Sequence, residues 1–270
     1  MTAADPTHQL AEALQAGGPT LVLTGAGVSL ASGIPTFRGT DAGAVWATTV
    51  MARATLQHFV REPADSWAWY RERHGQVLAA RPNPAHRALV DLERWQAGRG
   101  ERFQLVTQNI DLLHEAAGSR ALVKVHGSID RARCAGRSCP AAETTVATSS
   151  LDFSAFDARP DTATVPRCAA CGALMRPHVL WFDEHYGSHP DYGWDSVLDA
   201  CDAMRLVIAI GTSFSVGVTD LVAGEADRRG IPLFVVDPQG PSITGRRIIG
   251  VRDKAEDVLP RVCTVVGAAA

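Results

Sequence analysis

The chain has 270 residues, 46% hydrophobic and 20% charged, a balance suited to a globular protein with a sizeable core. Its net charge of −3 argues against a nucleic-acid footprint, which needs a basic excess. The N-terminus has no basic segment followed by an apolar run, and no stretch of about 18 apolar residues occurs, so neither a signal peptide nor a membrane span is expected.

The expected setting is therefore cytoplasmic and reducing, where disulfides among the six cysteines are disfavoured. The oligomeric state is left open, a monomer included.

In chain order, residues 8–15 read as a helix, and Thr20–Thr24 as a buried strand that ends at glycine. Residues 40–82 read as helical, with Trp46, Trp67 and Trp69 but no strand partner; 64–79 is the clearest helix there. A helix over 84–96, a strand over Phe103–Thr107, a helix over 110–117 and a strand over 123–126 follow. Residues 131–175 are rich in small and polar side chains, and 143–166 reads as a flexible loop. Further strands are expected at 178–182, Leu206–Ile210 and Leu233–Val236, with a helix over 221–229. Alternating strands and helices predict an α/β fold, a doubly wound parallel sheet, with 40–82 and 131–175 as insertions forming a smaller module.

Thr24 leads into Gly25, Ala26, Gly27, Val28 and Ser29. A strand entering a glycine-rich turn before a helix can bring backbone N–H groups to a diphosphate. Leu30 replaces the third glycine of the dinucleotide fingerprint, so an ordinary tight turn is an equal reading. Gly211, Thr212 and Ser213 form a second small-residue turn at a strand end, where ligands of open α/β sheets bind. Asp237 ends the strand at Val236 and either accepts from a ribose diol or closes a turn.

Cys134 and Cys139 form one pair, and Cys168 and Cys171 a second. Two such knuckles supply the tetrahedral thiolates of a structural zinc ion, against the alternative of four unrelated thiols. Both pairs lie in a segment poor in apolar residues, so bound metal would supply folding free energy. Cys201 and Cys263 sit in apolar patterns and read as core residues.

With these motifs in hand, the chain resembles the sirtuin family over nearly its whole length. The run from Gly25 through Pro35 to Gly39 resembles the family's nucleotide loop. The run from Thr107 to His114, and His126, Gly127 and Ser128, resemble its catalytic segments. The run from Arg176 through Trp181 to Glu184 resembles its substrate-binding strand.

The resemblance implies a Rossmann-type large domain (1–39, 83–130 and 176–270). It also implies a small domain made of a helical module (40–82) and a zinc-ribbon module (131–175), with the active site between the two. It implies NAD-dependent transfer of an acyl group from lysine to ADP-ribose, releasing nicotinamide. His126 would be the general base on a ribose hydroxyl, for which imidazole has a suitable pKa; taken alone, it would read as a structural histidine. Asn109 and Asp111 would form the carboxamide pocket, and Gln108 would contact the nicotinamide ribose. Gly25, Ala26, Gly27, Ser29, Ile110, Gly211, Thr212, Ser213, Asp237 and Ala255 would complete the cofactor site. Phe37 and Arg38 would lie on a mobile cofactor loop. Val179, Leu180, Trp181 and Phe182 would pair with an extended acyl-lysine peptide by strand addition, though without the family they read as a core strand.

Tyr70 and Arg73 stand three apart on a predicted helix and share one face. Phenol and guanidinium together can bind a carboxylate, which a succinyl or malonyl group carries and an acetyl group lacks. This resembles the desuccinylase and demalonylase subclass, in which Ala54 would leave room for the longer chain. The bland reading turns Arg73 to solvent.

Some positions depart from the family pattern. Asp183 stands where glycine is common, adding bulk and charge near the peptide channel, and Asp237 stands where asparagine is usual. Val218 and Thr219 replace a commoner Pro-Ala. Three other readings use the same residues: a mono-ADP-ribosyltransferase, a non-catalytic NAD sensor and a nicotinamide dehydrogenase. The missing third glycine weakens the last.

Overall fold

The computed structural model describes residues 5–36 and 46–268, with side chains of 46–49 excepted. Phe37, Arg38 and the side chain of Trp46 lie outside the described residues.

The large sheet has six parallel strands: β1 (Thr20–Thr24), β2 (Phe103–Thr107), β3 (Leu122–Lys124), β7 (Leu206–Ile210), β8 (Leu233–Val236) and β9 (Ile248–Val251). Their order is β3-β2-β1-β7-β8-β9. The strand order reverses between β1 and β7, so the crevice at their carboxyl ends is where such a sheet takes its ligand. β1, β7 and β8 are buried along their whole length, which explains their unbroken apolar runs.

Helices cover both faces. On one side α1 (Pro6–Gln15), α5 (Pro84–Gly98) and α10 (Ala255–Val266) place Leu10, Leu89, Leu92, Val258 and Leu259 against the sheet. Asp5 caps α1 by accepting from Thr7 N–H at 3.0 Å, with Pro6 starting the helix. On the other side α8 (Trp194–Ala203) and α9 (Gly217–Arg229) bury Val197, Cys201, Val218 and Val222. Cys263 and Cys201 thus sit in two separate cores, as expected of apolar thiols. α6 (Leu113–Ala117) is shorter than its sequence pattern, because Asp111 accepts from Leu113 N–H and starts the helix there.

The smaller module has a core of its own. Helices α2 (Trp46–Arg53), α3 (Leu56–Arg61) and α4 (Pro63–Ala79) pack on a three-stranded antiparallel sheet of order β5-β4-β6. Its strands are β4 (Gly127–Cys134), β5 (Thr145–Ala147) and β6 (Met175–Val179). The strand expected at 178–182 therefore lies earlier, at β6, and belongs to this sheet rather than the parallel one. The expected module edge at residue 130 falls inside β4. The segment 143–166 is not a bare loop: it holds β5 and α7 (Ser154–Ala158), and buries Phe153, Phe156 and Val165. With Val146 and Leu151 partly buried beside them, these side chains anchor a stretch otherwise rich in small and polar residues. Among the described residues no helix is long and apolar enough to cross a membrane.

Candidate functional site

A cleft of about 920 Å³ opens between the carboxyl ends of the parallel strands and the small module, near the top of the range for small-molecule sites. Gly25 follows β1 and Gly211 follows β7. The two turns are locked together: Gly25 N–H donates to Ile210 O and Gly27 N–H to Gly211 O, each at 3.0 Å. A Cβ on Gly27 would lie 2.6 Å from Gly211 Cα, and Gly211 itself has φ +55°. The glycines are thus required by the contact between the two turns, a reason separate from both the phosphate and the tight-turn reading of the sequence. Gln108 bridges them, donating to Thr212 Oγ1 at 3.0 Å and Thr24 O at 3.3 Å.

Asn109 is 6% exposed and donates to Gly25 O at 3.1 Å and Ser29 Oγ at 3.0 Å. Ser29 donates in turn to Asp111 Oδ2 at 2.8 Å. Ser29 and Asp111 therefore form a buried layer behind Asn109, away from the cleft lining. The other predicted nucleotide-site residues within the described chain line the cleft directly: Gly25, Ala26, Gly27, Gln108, Ile110, Gly211, Thr212, Ser213, Asp237 and Ala255. Asp237 also closes a turn, accepting from Gln239 N–H at 2.8 Å, as its turn reading expects.

His126 lines the same cleft, just past β3. Its Nδ1 lies 2.8 Å from Gln108 O. A carbonyl can only accept, so Nδ1 carries the proton and Nε2 holds a lone pair. Burial lowers the imidazole pKa to about 4, against a smaller opposing effect of the Gln108 carbonyl. The ring is therefore neutral near pH 7 and able to take a proton. Gly127 has φ +75°, and any Cβ there would collide with the His178 carbonyl, so the backbone after His126 admits only glycine without rearrangement.

Sequence reading missed two neighbours. Tyr186 stacks on His126, ring centroids 5.9 Å apart, and on Trp194 at 4.3 Å. Lys124 Nζ donates to Asp111 O at 2.6 Å, Glu115 Oε1 at 2.6 Å and Ser128 Oγ at 2.7 Å, pinning the Asp111 loop to β4. A lone tyrosine in a Gly- and His-rich loop and a lone lysine on a short strand carry no motif that could have flagged them.

The opposite wall comes from the small module. Ala54, Tyr70, Arg73, Val179, Leu180, Trp181 and Phe182 all line it. Trp181 Nε1–H donates to Tyr70 Oη at 2.8 Å, which leaves the phenol's own proton for another acceptor. Burial raises the Tyr70 pKa, so the phenol stays protonated. Arg73 lies over the Trp69 ring, 3.5 Å from its centroid, and donates to Trp69 O at 3.2 Å. Burial lowers its pKa to about 10, which still leaves a cation at neutral pH. Below the wall, Arg176 holds Glu184 through two bonds of 2.6 and 2.7 Å. The N–H groups at 180, 181 and 182 donate to His126 O, Glu184 Oε2 and Ala54 O. The carbonyls of Val179 and Trp181 accept from Arg176 Nη2 and Glu184 N–H, each at 3.0 Å, so this segment offers less than a full strand edge.

Cys134, Cys139, Cys168 and Cys171 bring their sulfurs within 4.8 Å of one another. Cys134 and Cys171 Sγ are 3.4 Å apart, Cys139 and Cys168 Sγ 3.7 Å. A tetrahedron of thiolates around zinc has sulfur edges of about 3.8 Å, so the residues fit the ion. Gly136 N–H donates to Cys134 Sγ at 3.2 Å and Ala141 N–H to Cys139 Sγ at 3.4 Å, bonds that favour thiolates. Four sulfur ligands leave no open position, so the ion is structural. His178, His189 and Asp191 also cluster. There His189 Nδ1 accepts from Asp191 N–H at 3.1 Å, which puts the ring proton on Nε2 and removes that lone pair from a metal.

Comparison with known proteins agrees with this geometry. The Sir2 family model matches residues 25–218. An NAD-dependent protein deacylase of Thermus thermophilus is 39% identical over 87% of this chain and 85% of its own length. The mitochondrial NAD-dependent protein deacylase sirtuin-5 of Canis lupus familiaris is 36% identical over 84% and 74%. A Sir2 homologue solved with NAD superposes with a TM-score of 0.78 at 32% identity, covering 97% of this chain and 95% of that one. With the matched segment running from the first glycine turn past the second, this chain belongs to the Sir2 family.

Proposed function

We propose that this protein removes acyl groups from lysine side chains of other proteins, with NAD as co-substrate, and that it favours acyl groups ending in a carboxylate. Bound NAD supplies the ADP-ribose that accepts the acyl group, and nicotinamide leaves. The chain's own residues do the rest. The paired glycine turns and Gln108 shape the nucleotide half of the cleft, and Asn109, backed by Ser29 and Asp111, presents an amide fixed in orientation. His126 takes a proton through Nε2. The observation that carries the reading is the Gln108 carbonyl on His126 Nδ1, which sets the tautomer so that a ring kept neutral by burial holds its lone pair on Nε2.

The acyl preference rests on Tyr70 and Arg73. The phenol accepts from Trp181 and keeps its own proton to donate, and the guanidinium is held flat on Trp69. Together they suit a carboxylate at the end of a chain that enters past Ala54. A panel of acetyl-, malonyl- and succinyl-lysine peptides with NAD, scored by nicotinamide release, tests both parts. No release with any peptide would reject the activity. Release with acetyl-lysine matching or exceeding the acidic peptides would reject the preference.

A further inference from the structure

Asp183 sits between Phe182 and Glu184, both of which line the cleft. Sequence reading put its bulk and charge beside the peptide channel. The structure turns its carboxylate onto the start of α3 instead.

That helix has only six residues, too few to be stable on local hydrogen bonds. The first N–H groups of any helix lack an intrahelical partner. Here Asp183 Oδ1 accepts from Leu56 N–H at 2.6 Å and Oδ2 from Gln57 N–H at 3.0 Å. Thr55 Oγ1 takes the third, from His58 N–H, at 3.0 Å. A carboxylate 127 residues away in sequence from Leu56 thus completes the cap, and its charge also suits the helix N-terminus. Just upstream, Phe182 N–H donates to Ala54 O at 3.0 Å. Three hydrogen bonds therefore clasp 54–57 to 182–183. Phe59 on α3 packs against Trp181, ring centroids 5.4 Å apart, and Trp181 in turn holds Tyr70.

We infer that Asp183 is a positioning residue for the acyl-lysine: its grip on α3 sets Ala54 against the wall formed by 180–182, and so sets the width of the channel that the acylated side chain enters. The role rests on the deacylase reading above. It touches neither the nucleotide turns nor His126, so it acts on the acyl-peptide and not on NAD.

The test uses the full chain with Asp183→Ala, Asp183→Asn and Leu56→Pro. Leu56 is the first helical residue, where proline is accepted, and Thr55 has extended φ −133° and ψ 148°, compatible with a following proline. Leu56→Pro therefore deletes one bond of the clasp, and because the proline Cδ points where the N–H pointed, with the nitrogen 2.6 Å from Asp183 Oδ1, it also pushes the carboxylate off the helix start. Steady-state kinetics is expected to show KM for acyl-peptide about five- to tenfold higher in Asp183→Ala, the size of a solvent-exposed charged hydrogen bond. KM for NAD should stay within about twofold, because no nucleotide contact is touched. Asp183→Asn, which keeps one acceptor, should recover part of the loss. Leu56→Pro should cost less in the Asp183→Ala background than alone.

Hydrogen exchange of a peptide covering 54–61 gives a readout independent of activity, and should quicken in Asp183→Ala. Unchanged exchange overturns the clasp. Faster exchange with equal losses on peptide and NAD, or with full additivity of the two substitutions, overturns the positioning role. Absence of nicotinamide release by the wild-type protein would instead reject the deacylase reading, and exchange would still decide the clasp.

Discussion

The two walls of the cleft are built on different physical terms. The nucleotide wall stands on a parallel sheet buried on both faces, and its polar side chains bond to one another and to the backbone in a closed layer. The wall carrying Tyr70 and Arg73 stands on a three-stranded sheet, three helices, four thiols and a few long-range hydrogen bonds. A large core can hold reacting groups without outside help. The small module adds to its core four sulfurs placed to hold a metal and hydrogen bonds between segments far apart in sequence.

The sharpest way to break this comparison is to remove the metal. Stripping zinc with a chelator, verified by metal analysis, is expected to melt the small module while the parallel sheet keeps its strand signal; binding energy of a structural zinc is folding energy. An unchanged melting curve would put the four thiols outside the stability of the fold.

Next comes the base. His126→Ala should lower turnover by about 10²–10⁴-fold, the range for losing a general base, while NAD binding measured by calorimetry persists. Turnover near the wild-type rate would remove His126 from that role. On the opposite wall, Tyr70→Phe combined with Arg73→Met should cut kcat/KM on succinyl-lysine by about a hundredfold, and on acetyl-lysine by no more than a few-fold. Equal losses would show a packing role only.

The smallest effect concerns pH. Burial lowers the pKa of His86 to about 4, and of His114 and His178 to about 3. Each folded-state value lies below the unfolded value of about 6.5, so as pH falls the unfolded chain binds protons first. Stability from these groups is full above about pH 6.5 and declines toward pH 3. Melting temperature against pH should show that gradual fall, and the same temperature at pH 7 and pH 5 would contradict it. Since His86 and His114 lie under the nucleotide wall and His178 in the small module, Ala substitution at each assigns the decline to one side.

Much of this was legible along the chain. The buried strands announced themselves as apolar runs ending at glycine, and the four thiols as two closely spaced pairs. The site residues around Asn109 and His126 lay in contiguous motifs. Less visible were β5 and β9, which are short, and β4, which buries Ser128 and Arg133 among its apolar residues, so their periodicity is weak. The segment holding β5 and α7 resembled a loop because its apolar residues, Val146, Leu151, Phe153, Phe156 and Val165, follow no helical or strand period among small and polar neighbours.

Sequence by itself fixed the residue types, the strand ends where a ligand could sit and the ligands for a metal, because each is a local pattern of spacing and polarity. Only the tertiary structure decided what those residues are for one another. Gly27 and Gly211 need each other's missing Cβ, Ser29 and Asp111 stand behind Asn109, and Asp183 caps a helix instead of facing the channel. Such relations join positions far apart in the chain, and a hydrogen bond depends on where donor and acceptor meet in space, which no local pattern records.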